Sequence, residues 1–197
     1  PNTDMKRRLI KLMQYISLED KERMASYFFW INPELLRCIL HEKTKNKIVD
    51  FDVSNPLIHT LSQLPENTDR LNKMLYLEMK HFLCDHNLNY TDKMGMSSGV
   101  EIRVPLLDKE LVEFSATLPI NMKQRGSTGK WIFKKAMEGM LPNELIYRPK
   151  SGFGVPLRQW MKSNLKEYVN DILSSHSLKN RMIFDQDGLE RLRKLDQ

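Results

Sequence analysis

All eight glycines of this 197-residue chain lie between Gly95 and Gly188, so the first 94 residues contain none. Glycine is the default wherever the backbone must turn through left-handed conformations. A glycine-free stretch of this length is therefore expected to consist of helices joined by short links. The chain reads as two parts, a helical segment over residues 1–90 and a second part over 91–197 where glycine, proline and alternating patterns come in.

In the first part Met5, Leu9, Leu12, Met13 and Ile16 recur at helical spacing. Ser17 with Asp20 reads as the cap of a second helix running to about Trp30. Asn32-Pro33 opens a third, because Asn accepts backbone N–H bonds at a helix start and Pro suits the first turn. Thr68 is the expected cap of the longest helix, with Leu71, Leu75, Met79, Phe82 and Leu83 on one broad apolar stripe that ends near Asn87. The stripe is read as core packing.

The second part opens on Val100, Ile102 and Val104, which alternate with Glu101 and Arg103 before Pro105. Alternation in an extended segment sends the apolar side chains one way and the charged pair the other. Asp108 is the expected cap of the next helix, with Leu111, Val112 and Phe114 inward and Pro119 at its end. Further helices are expected at about 128–140, 157–174 and 187–195.

With 41% apolar and 28% charged residues the chain has the mix of one or two globular units. Its longest strongly apolar run, Tyr27 to Ile31, is far short of the roughly 18 residues a membrane span needs. The start Pro1-Asn2-Thr3-Asp4 does not resemble an export signal and suggests an artificial boundary. Cys38 and Cys84 belong to no Cys-x-x-Cys pair, which predicts reduced, buried thiols. The histidines lack ligand spacing: His81 and His86 are five apart and point to different helix faces. No histidine-bound metal is expected. A net charge of +6 is a modest excess on a chain this long, and the basic run Lys43 to Lys47 has no interleaved aromatics, so nucleic acid is not the expected partner.

Gly126-Ser127-Thr128-Gly129-Lys130 has two residues between its glycines and Trp after the lysine, whereas a phosphate-cradling Walker loop needs four and a Ser or Thr. What remains is a set of cations on turn-forming backbone: Lys123, Arg125 and Lys130 around one turn, Arg148, Lys150 and Arg158 around another. In Arg148-Pro149-Lys150-Ser151-Gly152-Phe153-Gly154-Val155-Pro156 two prolines fix the ends and two glycines let backbone approach a ligand. That arrangement suits a lysine held against a phosphate. A tight surface turn with a solvated lysine is the plain alternative.

The blocks MSSGVEIRVPLLDKELVEFSATLP and KQRGSTGKWIFKKAMEGMLPNELIYRPKSGFGVPLRQWM resemble the C-terminal half of the synthetase domain of glutamine-hydrolysing asparagine synthetases. The close similarity covers about residues 91–165. It implies a mainly helical fragment, the C-terminal side of a larger α/β ATP-pyrophosphatase domain. It implies a ligase in which ATP activates aspartate as an acyl-adenylate and ammonia displaces AMP to give asparagine. Lys150 matches the family's catalytic lysine, expected at the α-phosphate and the developing oxyanion. Glu101 is the second catalytic candidate, orienting the lysine or the incoming amine. Arg103, Lys130 and Asp92 are the candidates for binding substrate and ATP phosphates. Arg103 is also expected to anchor the loop, Lys130 to help hold pyrophosphate, and a purely structural Glu101–Arg103 ion pair is the alternative. Ile102 and Val104 would suit the apolar wall of an ammonia path, against ordinary packing. Asp92-Lys93 departs from the Asp-Arg of many members.

The family's Ser-Gly-Gly-x-Asp-Ser loop and its acidic Ser-Gly-x-Gly-x-Asp-Glu segment are not in this sequence. ATP and Mg are therefore expected to be bound mainly by residues outside it, with no metal ligand assigned to this chain. The implied partners are a glutaminase domain and an ATP-binding part of the same protein, with a homodimer left open and a cytoplasmic location. An exposed apolar patch is expected where the missing sheet would pack. Two alternatives stand: a related synthetase acting on another carboxylate, as in β-lactam or polysaccharide pathways, or a non-catalytic helical interaction module.

Overall fold

The computed structural model describes residues 13, 15–48, 52–149 and 156–195. The predicted first helix over Met5 to Ile16 falls almost wholly outside them, as does Lys150 with its following loop to Val155. The chain forms two compact units, one from residues 1–56 with 152–197 and the other from 57–151. Among the described residues the elements are helical apart from one two-stranded hairpin and isolated bridges.

In the first unit, α1 (Asp20–Ser26) starts after Glu19 with no side-chain cap, not at Ser17. It also stops short of Trp30. Three successive i→i+3 bonds, Tyr27 to Met24, Phe28 to Ala25 and Phe29 to Ser26, tighten the chain out of the helix. Trp30 is then left 76% exposed. The second helix, α2 (Pro33–Ile39), begins as its sequence predicts: Asn32 Oδ1 accepts from the N–H groups of Glu34 at 2.8 Å and Leu35 at 3.3 Å. A short turn of helix, α3 (Glu42–Lys45), follows.

The C-terminal segment of this unit is more broken than expected. In place of one helix over 157–174 there are α11 (Leu157–Lys162) and α12 (Lys166–Ile172), parted at Ser163, whose φ of −124° and ψ of −95° are not helical. A further helix, α13 (Ser175–Arg181), is capped by Ser174. The last, α14 (Gln186–Leu195), packs on α2. Backbone bonds from His41 to Ile183 and from Asp185 to Ile39, both 2.9 Å, stitch the two segments together around a Leu40–Phe184 bridge. Met24, Ala25, Ile39, Leu40 and Leu178 are buried.

The second unit begins in α4 (Asn55–Ser62), which buries Leu57 and Leu61. Asp69, not Thr68, caps the long helix: its Oδ1 accepts from Leu71 N–H at 2.7 Å. That helix runs past Asn87. It passes from α5 (Arg70–Leu77) through eleven residues of π-helix (Glu78–Leu88) into α6 (Asn89–Ser97) without a break. The compositional boundary near residue 90 thus lies inside a helix. Phe82 stacks on His86 at 4.9 Å, and His81 is hydrogen-bonded to Thr60 at 2.9 Å, holding the π segment to α4.

Beyond α6 come a 3₁₀ turn (Pro105–Leu107), α7 (Lys109–Thr117) and α8 (Ile120–Lys123). Asp108 caps α7 as predicted, accepting from Leu111 N–H at 3.1 Å. The inward face does not materialise for all its residues, since Leu111 and Phe114 are 42% and 61% exposed. Strands β1 (Gln124–Arg125) and β2 (Thr128–Gly129) form the hairpin, and α9 (Trp131–Met137) and α10 (Asn143–Ile146) complete the unit. Cys38 and Cys84 are free, as expected, but exposed and not buried. No described helix is long and apolar enough to cross a membrane.

The α14–α2 contact gives the fold a sharp test. A methyl group at Gly188 would lie 2.7 Å from the Cys38 carbonyl oxygen and 2.8 Å from Ile39 Cα. Both atoms are backbone and cannot rotate away. The helix propensity gained by Gly188→Ala is below about 1 kcal/mol, whereas overpacking costs about 1–3 kcal/mol. The variant is expected to lose stability, read as a lower denaturation midpoint; an unchanged or raised midpoint would show that the contact is not tight.

Candidate functional site

The Glu101–Arg103 segment owes its place to the way α6 ends. Gly99 takes a left-handed φ of 68°. Its N–H bonds back to Met96 O and that of Val100 to Gly95 O, both at 3.0 Å. This pair of bonds is a Schellman closure, which satisfies carbonyls the helix would otherwise leave open and reverses the chain. Residues 100–104 then run extended, with no strand partner among the described residues.

Alternation operates as the sequence predicts for the charged pair. Glu101 and Arg103 lie on the same side, joined at 2.8 Å between Oε1 and Nη2. Their side chains are 68% and 82% exposed. An ion pair this exposed contributes about 0–1 kcal/mol, so stability does not explain it well. Both groups remain open to an incoming molecule. Among the described residues, no hydrogen bond or ion pair links them to Asp92 or Lys130. Asp92 is exposed on α6, in the turn before Gly95.

Lys130 stands at the start of α9 with φ 56° and ψ 37°, a left-handed conformation that favours glycine. For a residue with a Cβ this costs roughly 1–2 kcal/mol. Its side chain is exposed and makes no hydrogen bond or ion pair among the described residues. Such strain in a chemically capable residue points to use, not stability. Next to it, the Arg125 guanidinium lies over the Trp131 ring, 5.1 Å from its centre.

Lys123, grouped with these cations by sequence, does other work. Its Nζ donates to Asn72 Oδ1 at 2.8 Å and to Ala116 O at 3.1 Å, bolting α8 to α5 and α7. Burial lowers its pKa, opposed by the charge of Asp69. It is a structural cation.

A cluster that the sequence reading missed lies just before the RPKSGFGVP block. The Tyr147 hydroxyl donates to Glu138 Oε1 at 2.5 Å, and Lys135 Nζ donates to both carboxylate oxygens at 2.9 and 3.1 Å. Lys134 Nζ lies 5.6 Å from the centre of the Tyr147 ring. Glu138 and Tyr147 are nine residues apart, on either side of a turn and the short α10, a separation with no periodic signature. The clasp sets the described end of the chain that leads to Lys150, which itself lies outside the described residues.

The hydroxyl of Tyr147, first, and then Lys135 hold the Glu138 carboxyl below its ordinary pKa, while the same bonds raise those of Tyr147 and Lys135. A carboxyl depressed in the fold adds stability above its unfolded pKa and loses it as pH falls through the folded one. Tyr147→Phe removes the largest cause of the depression. The Glu138 titration is therefore expected to move up toward the ordinary carboxylate range, as followed by carboxyl carbon NMR. An unmoved midpoint would show that the clasp does not form.

Comparison with known proteins bears on the whole set. The sequence profile of the family described as asparagine synthase matches residues 4–197. Glutamine-hydrolyzing asparagine synthetase 1 of Bacillus subtilis is 36% identical over 103 residues, covering 52% of this chain and 16% of that protein. The corresponding synthetase 3 of the same organism is 33% identical over 120 residues, covering 61% and 19%. The Gallus gallus enzyme is 27% identical over 111 residues, covering 53% and 18%. The matched region is thus less than a fifth of the length of these relatives. No solved structure matches the chain. A profile that spans residues 4–197 shows that the chain belongs to the asparagine synthase family.

Proposed function

We propose that the chain is the C-terminal, mainly helical side of an α/β ATP-pyrophosphatase domain in a glutamine-hydrolysing asparagine synthetase. An oxygen of the aspartate side-chain carboxylate attacks the α-phosphorus of ATP, and pyrophosphate leaves. The nitrogen of ammonia then attacks the acyl carbon, the bond to AMP breaks, and asparagine forms after loss of a proton. Both steps gather negative charge on oxygen, which fixed cations stabilise.

The observation that carries this reading is the Glu101–Arg103 pair, held in the open at the end of α6 within the residues that the family profile spans. In the proposal Glu101 orients the attacking amine or the ammonium of Lys150, and Arg103 holds Glu101 in place and faces substrate. Lys150 lies against the α-phosphate and the developing oxyanion. Lys130, strained and unengaged among the described residues, takes pyrophosphate, and Asp92 lies on the substrate side. The exposed apolar side chains of Leu106, Leu111 and Phe114 support packing on a larger sheet than the hairpin formed among the described residues.

Among the described residues no group of three His, Cys, Asp or Glu could hold a metal ion. In the proposal the magnesium that accompanies ATP is held mainly by residues outside this sequence, together with the nucleotide's own phosphates. The reading carries with it a glutaminase partner and a cytoplasmic location.

Lys150 is the test. In the protein that carries this chain, Lys150→Ala is expected to raise the barrier to asparagine formation by about 3–4 kcal/mol, the effect of deleting one oxyanion donor. Lys150→Arg is expected to rescue poorly, since a planar fork does not replace a compact ammonium. Glutamine hydrolysis survives both. Normal synthesis by a well-folded Lys150→Ala enzyme would remove Lys150 from the mechanism. The 197-residue chain alone is expected not to exchange pyrophosphate into ATP, because it lacks the Ser-Gly-Gly-x-Asp-Ser loop.

A further inference from the structure

Gly95 is the one glycine inside the long helix, and it is buried, although glycine costs a helix interior about 1 kcal/mol relative to alanine. The geometry around it shows what that cost secures. A Cβ at Gly95 would lie 2.7 Å from the carbonyl oxygen of Val100, and 2.9 and 3.0 Å from Cδ1 and Cγ1 of Ile102. The first contact is with backbone, which cannot swing aside. The other two are with the side chain of the residue between Glu101 and Arg103.

The same missing methyl group therefore leaves room for two things. One is the return of the chain over the end of α6, closed by the bond from Val100 N–H to Gly95 O. The other is the seat of Ile102. With Ile102 lying over the helix, alternation turns its two neighbours to the opposite side, where they pair at 2.8 Å. Residues 100–104 form no strand, and all their side chains are exposed, Ile102 at 45%. Besides the contact of Ile102 with Gly95, the stretch is tied at its two ends, by Val100 N–H to Gly95 O and by Leu107 N–H to Val104 O.

We propose that Gly95 is a positioning residue for the synthetase reaction, acting through Ile102 to fix where the Glu101 carboxylate and Arg103 guanidinium face substrate. The proposal rests on the reading of Glu101 given above. Adding one methyl group at Gly95 displaces residues 100–102, and Glu101 with them, while removing no charged group from the chain. A displacement on the scale of 1 Å in a positioned group costs on the order of 100-fold in rate.

The experiment compares Gly95→Ala, Ile102→Ala and Glu101→Gln in the protein that carries this chain, measuring kcat and KM for ATP in ammonia-dependent asparagine synthesis, glutamine hydrolysis and Tm. Gly95→Ala is expected to lower kcat by on the order of 10- to 100-fold, with KM for ATP within about threefold and glutamine hydrolysis unchanged. Ile102→Ala removes the two side-chain atoms seated on Gly95 and adds none, so it is expected to lower kcat in the same way. It decides the matter where Gly95→Ala does not fold. Wild-type kcat in both variants beside an impaired Glu101→Gln would overturn the positioning role alone, as would a lowered Tm with kcat per folded enzyme unchanged. Wild-type synthesis by Glu101→Gln would instead remove the reading of Glu101, and the role of Gly95 with it.

Discussion

Two backbone hydrogen bonds at the end of α6 govern the segment to which the proposed chemistry is assigned. Each contributes on the order of 1 kcal/mol, yet together they convert the end of a 28-residue run of helix, Arg70 to Ser97, into a reversal with one geometry. Without Gly99 in its left-handed conformation the N–H of Val100 does not reach Gly95, and the chain leaves the helix along another path. The placement of Glu101 and Arg103 is thus a property of a helix terminus and not of a sheet.

That dependence explains how much was legible in the sequence. Features fixed within four residues were readable. Asn32-Pro33 and Asp108 cap their helices because a short polar side chain meets its own backbone. The alternation from Val100 to Val104 gave the facing of the ion pair correctly, since strand-like backbone imposes it without help from partners. Thr68 lost to Asp69 by one position, which composition alone does not decide.

Features set by packing were not readable. Burial of Cys38 and Cys84 was expected from residue type, yet both are exposed. Lys123 looked like its neighbours Arg125 and Lys130 until Asn72, 51 residues away, and the Ala116 carbonyl claimed its ammonium. The Tyr147–Glu138 bond spans a link with no repeat. Gly95 did carry a signal, as an isolated glycine within a helical pattern, but its meaning lay in Ile102 and emerged only with the turn in view.

The pairing of α14 with α2 has a consequence for how the protein is made. Residues 57–151 form one unit from a single uninterrupted stretch, whereas the other unit joins residues 1–56 to 152–197. Chains emerge from the ribosome N-terminus first and domains tend to fold as units. The middle unit therefore has its whole sequence available while α2 is still waiting for α14. Until Gly188 arrives, the Cys38–Leu40 backbone that it covers stays open, and the nascent chain carries an unfinished surface while the intervening residues are made. Closing a loop of this span is slow compared with local helix formation, which makes the last helix the step that commits the outer unit to its fold.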